Sequence, residues 1–131
     1  VANAPTILVV HAGFAAANLG KQKVPTLRNV AKGSCEAEPT NPGCIVKAYG
    51  HNAYFKSLKG IVHFYNTRDV KPTCADPFTT EADALIQGCW PAPEVADNVN
   101  VDELGDLGLT PEDEDALVAF LKTLSDGYFD R

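Results

Sequence analysis

The chain has 131 residues, and 45% of them are hydrophobic, which is enough apolar material for one core and predicts a single domain, residues 1–131. Its 17 acidic and 11 basic residues give a net charge of −6. Nucleic acid is excluded as a partner, because its phosphates require clustered Lys and Arg. A membrane span is not expected, since the longest apolar run near the start is only Ile7 to Val10.

The first part of the chain gives weak signals of regular structure. Ala12 to Leu19 could form a short helix that ends at Gly20. Pro25 then blocks a regular element between Lys21 and Val30. A polar loop bracketed by cysteines follows at about 33–46, and we expect it to be irregular and to lie at the surface.

Two short helices are predicted in the middle of the chain. The first follows from the helical spacing of four apolar side chains, with Ser57 as its cap and its end near Asn66: Leu58, Ile61, Val62 and Tyr65. The second runs from Thr80 to Gln87, and three of its side chains are expected to face inward: Ala82, Leu85 and Ile86. It lies in a proline-rich segment at about 69–100 that has the composition of an inserted loop.

The clearest helix is the last one. Thr110 supplies an N-cap, Pro111 a favoured first-turn residue and Asp113 a capping-box acid. Its apolar positions are Leu117, Phe120, Leu121 and Leu124, and Gly127 is expected to end it. The acidic run 112–115 favours capping and solvation over a metal or catalytic site, because a helix dipole attracts negative charge there. With no hairpin signal of comparable strength, the predicted class is mostly α with long loops.

Four cysteines are present, and no two of them are spaced as CxxC. That spacing argues against zinc and dithiol redox sites. Each neighbouring pair brackets a polar loop, so the preferred pairings among the three possible connectivities are Cys35–Cys44 and Cys74–Cys89. Such disulfides would place the protein outside the cytosol.

Three strings in this order resemble a known family: KVPTLRNV at 23–30, AYGHNAYFKSLKGIVHFYN at 48–66 and LGLTPEDEDALVAFLKTLSD at 107–126. They resemble the C-terminal haem domain of the bacterial di-haem cytochrome c peroxidase and MauG family. The resemblance implies the C-terminal part of a cytochrome c-like domain, haem c as cofactor, a periplasmic location and a second haem-bearing segment or chain as partner.

The resemblance also implies roles for four residues around the haem. Pro25 and Leu27 would lie against the porphyrin, and Arg28 near a propionate, which its guanidinium could pair with. His51 would lie at the haem periphery rather than on the iron. Read without the resemblance, the same residues are a turn proline, a core leucine, a surface arginine and a hydrogen-bonding histidine.

Tyr65 has the sharpest implied role. It lies fourteen residues after His51. In the family it resembles, the peroxidases carry an axial methionine at this place, and a related enzyme that completes a tryptophylquinone cofactor carries a tyrosine; this chain contains no methionine. Tyr65 is therefore a candidate axial ligand of the haem iron; a phenolate would favour ferric iron and lower the reduction potential relative to a thioether. The alternative is that Tyr65 only completes the apolar stripe of its helix, with its hydroxyl hydrogen-bonded at the edge of that stripe.

The CxxCH motif that attaches a c-type haem does not occur in the sequence. The favoured explanation is that the motif lies on another segment or chain. A second is degeneration, because Ile7 to His11 keep the CxxCH frame with aliphatic residues in place of both cysteines, which makes His11 a weak alternative iron ligand. A third is an error in the first residues of the sequence.

The leading functional expectation is part of a periplasmic oxidoreductase that reduces peroxide, or uses it to oxidise a redox protein partner. Two alternatives remain open: a haem-free structural or binding module, and a cytochrome that only transfers electrons. Hydrolytic chemistry finds little support, because His11, His51 and His63 have no nucleophile motif beside them.

Overall fold

The computed structural model describes residues 6–32 and 46–124, and the side chains of the first range from residue 12 onward. Four helices lie in these ranges: α1 (Thr6–Ala17), α2 (Leu58–Thr67), α3 (Glu81–Gln87) and α4 (Pro111–Thr123). β-structure in the same ranges amounts to two isolated bridges, Tyr49 with Phe55 and Thr73 with Trp90. The prediction of a mostly α chain is confirmed. No helix in the described ranges has the length and apolar character needed to cross a membrane.

The predicted helix starts are confirmed at three places. Ser57 caps α2, Thr80 caps α3 and Thr110 caps α4, each through a side-chain oxygen that accepts a backbone N–H of the first turn. In α4 the capping box is complete, because Asp113 also accepts the backbone N–H of Thr110 at 3.0 Å. These caps satisfy N–H groups that have no partner within their own helix.

The first helix differs from its prediction. It begins at Thr6 rather than near Ala12. The earlier start was not predicted because the aliphatic run 7–10 has no helical period. It ends at Ala17, and Gly20 adopts a φ of 76° in the turn that follows. His11 lies in this helix, but its side chain is outside the described residues. The predicted Cys35–Cys44 disulfide and Gly127 lie outside them too.

The hydrophobic core is built around Trp90, which is only 2% exposed. Its indole ring contacts the rings of Phe64 and Phe55, with centroids 5.3 and 6.2 Å away. The predicted Cys74–Cys89 disulfide is present beside it, and both cysteines are buried. The segment 69–100 is thus more than a surface loop, because it supplies most of the buried core.

The inward face predicted for α3 is wrong. Ala82, Leu85 and Ile86 are exposed, whereas Glu81 and Ala84 are buried. The reason is a contact that is distant in sequence: the Glu81 carboxylate turns toward the start of α2 and accepts the backbone N–H of Lys56 at 2.6 Å. A buried acid that bonds to the backbone just before a neighbouring helix has no signature in an apolar period.

Helix α2 packs against α4, and its C-terminal end is fixed by the loop that leads into α4. The guanidinium of Arg68 donates to the carbonyls of Asn100 and Leu104, at 2.6 and 2.9 Å. Backbone bonds add to this clamp, from Gly105 N–H to the Tyr65 carbonyl and from Leu107 N–H to the Asn66 carbonyl. The last turn of α2 is therefore bonded to this loop through both side-chain and backbone groups.

Candidate functional site

A buried carboxylate, Glu114 of α4, is the centre of the contact between α2 and α4. Only 4% of its side chain is exposed. Oε1 accepts hydrogen bonds from His63 Nδ1 at 2.8 Å and Asn66 Nδ2 at 2.7 Å, and Oε2 pairs with Lys59 Nζ at 3.1 Å. Both carboxylate oxygens thus have partners, which a buried charge requires.

Asn66 links this centre to the loop before α4. Besides donating to Glu114, its Nδ2 donates to the Leu109 carbonyl at 2.9 Å, and its Oδ1 accepts the Leu109 N–H at 3.0 Å. The side-chain amide thereby satisfies both backbone groups of Leu109, as a neighbouring strand would. The start of α4 is fixed to the end of α2 by this one side chain.

The opposite nitrogen of His63 contacts Lys71, whose Nζ lies 2.8 Å from Nε2. A lysine ammonium can only donate, so Nε2 carries the lone pair and Nδ1 carries the proton that goes to Glu114. Lys71 Nζ also lies 5.6 Å from the centre of the Trp90 ring, within cation–π range. Both nitrogens of His63 are therefore occupied by protein partners.

The charge state of Glu114 follows from these contacts. Burial opposes ionisation, but hydrogen bonds from Asn66, His63 and Lys59 outweigh it and hold the pKa of Glu114 below its ordinary value. In turn the pKa of Lys59 is raised, first by its hydrogen bond to Asp115 and also by its contact with Glu114. The centre is built to keep a carboxylate ionised inside the protein.

This centre was not predicted from the sequence. Capping and solvation were expected for the acidic run 112–115, which holds for Asp113 but is wrong for Glu114. A signal was available in α2, where Lys59, His63 and Asn66 are spaced by four and then three residues and so share one face. A polar stripe opposite an apolar one is ordinarily read as the solvent-facing side.

The segment predicted to line the haem edge is exposed in this chain. Pro25 and Arg28 are exposed, and Leu27 retains 49% of its accessible surface. The Asn29 N–H donates to the Leu124 carbonyl at 2.6 Å, which joins this segment to the end of α4. The described residues therefore leave Leu27 only partly covered.

Tyr65, the candidate iron ligand, lies on α2 with 38% of its surface exposed. Its ring lies 5.9 Å from that of Phe64, and its hydroxyl makes no hydrogen bond to a described residue. The alternative interpretation, in which the hydroxyl is bonded at the edge of the apolar stripe, lacks such a partner among those residues. Whether Tyr65 binds iron stays a prediction.

His51 contacts an acid rather than any other predicted site residue. Its Nε2 lies 3.4 Å from Glu94 Oε2, and about half of its side chain is exposed. The neighbouring Asn52 donates to the other oxygen of Glu94 at 3.0 Å. The pKa of Glu94 is lowered, first by the bond from Asn52 and then by His51.

The contacts of the described residues do not gather the predicted site into one cluster. Within residues 12–32 and 46–124, no hydrogen bond or ion pair joins Tyr65, His51 and Arg28 to one another, and no group of three or more His, Cys, Asp or Glu could hold a metal ion. In the same part of the chain, hydrogen bonds and an ion pair instead join three side chains of α2 to Glu114.

The predicted residues have the chemistry that a haem group would need, but not the motif for its attachment. An exposed leucine and proline next to an arginine would suit the edge of a porphyrin and a propionate, and a partly exposed phenol would suit ferric iron. Covalent attachment needs CxxCH, which this chain lacks. The remaining ligand and the attachment would have to come from another segment.

The chain is similar to the methylamine utilization protein MauG of Paracoccus denitrificans (strain Pd 1222). It is 38% identical to that protein over 112 residues, which cover 84% of this chain and 24% of that protein. The chain thus spans about a quarter of the length of the relative it matches. No family model and no solved structure matches it. The similarity supports the predicted relationship to MauG, while the wider peroxidase family and the cytochrome c-like fold stay predictions.

Proposed function

We propose that this chain is part of a di-haem c-type cytochrome oxidoreductase of the periplasm, which reduces peroxide or uses it to oxidise a protein partner. The observation that supports this most is the 38% identity to MauG over 84% of the chain, together with the three strings that resemble the family. The chain covers 24% of that relative, so the remaining haem-bearing segment, the redox partner and the periplasmic location are parts of the proposal.

In this proposal the chain supplies one side of a haem site. Haem iron supplies electron transfer and peroxide chemistry when it is bound. Tyr65 would offer its phenol oxygen to the iron, Leu27 and Pro25 would exclude water from the porphyrin edge, and Arg28 would neutralise a propionate. His51 lies at the periphery, with its ring held by Glu94.

The experiment uses the full-length, natively matured protein. It should show a Soret band, and Tyr65→Phe should remove the spectral features of a phenolate bound to ferric iron. Tyr49→Phe is the matched control, because Tyr49 packs against the core around Trp90 and should leave the spectrum unchanged. Absence of a Soret band would refute the oxidoreductase, and an unchanged spectrum in Tyr65→Phe would refute the ligand.

The absence of CxxCH favours a second candidate, a haem-free cytochrome-like module stabilised by the Cys74–Cys89 disulfide and used in assembly. It predicts that intact-mass analysis of the complete purified protein finds no haem-sized adduct on any chain.

The other alternative is a cytochrome that only transfers electrons. A six-coordinate low-spin ferric spectrum that peroxide leaves unchanged would indicate that function.

A further inference from the structure

Glu114 bonds to one stripe of α2, and Tyr65 lies on another side of the same helix. The three donors to Glu114 occupy positions 59, 63 and 66, which form one face. At 3.6 residues per turn, Tyr65 lies roughly 120° around the helix from that stripe. Since α2 has only ten residues, three anchors along it restrict both its rotation and its sliding against α4.

A second set of contacts acts directly beside Tyr65. Its carbonyl accepts the N–H of Gly105 at 2.6 Å, and the next residue, Asn66, is clamped to Leu109 through both side-chain atoms. The backbone at the Tyr65 carbonyl and at the following residue is therefore fixed, and Asn66 connects this clamp to Glu114. The direction of the Cα–Cβ bond of Tyr65 is set by these contacts.

A carboxylate at this place is more than packing requires. Buried ion pairs can often be replaced by apolar side chains of similar volume without loss of stability, because their desolvation offsets their attraction. What an apolar contact lacks is direction, since it tolerates rotation and sliding that a set of hydrogen bonds does not. Three directed bonds to Glu114 therefore specify one orientation of α2.

We propose that Glu114 is a positioning residue for Tyr65: by holding Lys59, His63 and Asn66, it fixes the rotation of α2 and so the place of the phenol oxygen. The inference rests on the proposed function, in which that oxygen binds the haem iron. Glu114 acts only through the helix, because all its partners are protein groups on α2.

The test compares full-length ferric protein carrying Glu114→Gln or Asp115→Asn. Glu114→Gln keeps the volume but loses the charge and turns an amide toward Lys59, so the phenolate-to-iron absorption band should shift and lose intensity. Asp115→Asn, one position along α4, should leave the band in place, because Asp115 is 73% exposed and pairs with Lys59 at the surface. Trp90 fluorescence verifies that each variant is folded.

The outcomes separate the two proposals. If Tyr65→Phe removes the band but a folded Glu114→Gln variant retains it unshifted, the positioning role is wrong and the ligand stands. If Tyr65→Phe changes nothing, the ligand and the positioning role are both wrong. Should Glu114→Gln fail to fold, Lys59→Met removes one anchor from a half-exposed position; a smaller shift in the same direction supports the proposal, and an unshifted band refutes it.

Discussion

Replacing Glu114 by alanine tests how much the buried centre contributes to stability. The substitution removes the acceptor of His63 and Asn66, and hydrogen bonds to a charged group contribute about 1.5–3 kcal/mol each. Lys59 is compensated, since it retains Asp115 at 2.7 Å and the Pro111 carbonyl at 3.1 Å. Asn66 also retains Leu109, so we expect Glu114→Ala to lower the free energy of unfolding by about 3 kcal/mol.

The control is Asp115→Ala on the next residue of the same helix. Asp115 pairs with Lys59 at the surface, and exposed pairs contribute about 0–1 kcal/mol. Urea unfolding followed by the fluorescence of Trp90, the single tryptophan, measures both variants. Equal losses in the two variants would refute the reasoning, because burial and hydrogen bonding of Glu114 would then contribute nothing beyond a surface charge.

The effect of Glu114→Ala on the free energy of unfolding should also depend on pH. The pKa of Glu114 is lower in the folded than in the unfolded protein, so the stabilisation is complete above the ordinary glutamate pKa of about 4.3. It is lost as the pH falls through the folded pKa. The unfolding free energy of the wild type should therefore decline more steeply in acid than that of Glu114→Ala, and parallel curves would contradict this assignment.

Two further changes test the core and its glycine contact. The Cys74–Cys89 disulfide closes a separation of 15 residues, so its reduction should lower the free energy of unfolding by about 3 kcal/mol. Urea titrations with and without a dithiol measure this difference. An unchanged unfolding midpoint would contradict the prediction. Gly60→Ala should lower the free energy of unfolding by about 1–3 kcal/mol in calorimetry, because its Cβ would overlap the buried carboxylate of Glu81. The control is Gly13→Ala, whose Cβ meets no described atom and which should not destabilise the protein. Equal effects of the two substitutions would count against the contact.

Local rules predicted the helix starts well. Ser57, Thr80 and Thr110 cap their helices as the sequence indicates, because a cap depends on a side chain and the N–H two or three residues further on. The Cys74–Cys89 pair was predictable for the same reason of proximity in sequence. Such features need no knowledge of distant contacts.

Features that depend on distant contacts were not predictable. Glu81 is buried by its bond to Lys56, and Glu114 by partners from α2 that precede it by about fifty residues. No apolar or charge period encodes such pairings, so Glu114 was read as solvated and Glu81 was not predicted to be buried. Trp90 was likewise missed as the centre of the core, because its surroundings have the composition of a loop.

The two sides of α2 differ in how completely the chain satisfies them. On the Glu114 side, both nitrogens of His63 and both side-chain atoms of Asn66 have protein partners, so little chemistry is left for a substrate or a metal. On the other side, Tyr65 is partly exposed and its hydroxyl bonds to no described residue. The proposed contact with haem iron therefore depends on Tyr65, while Glu114 and His63 bond to or lie on the helix that carries it.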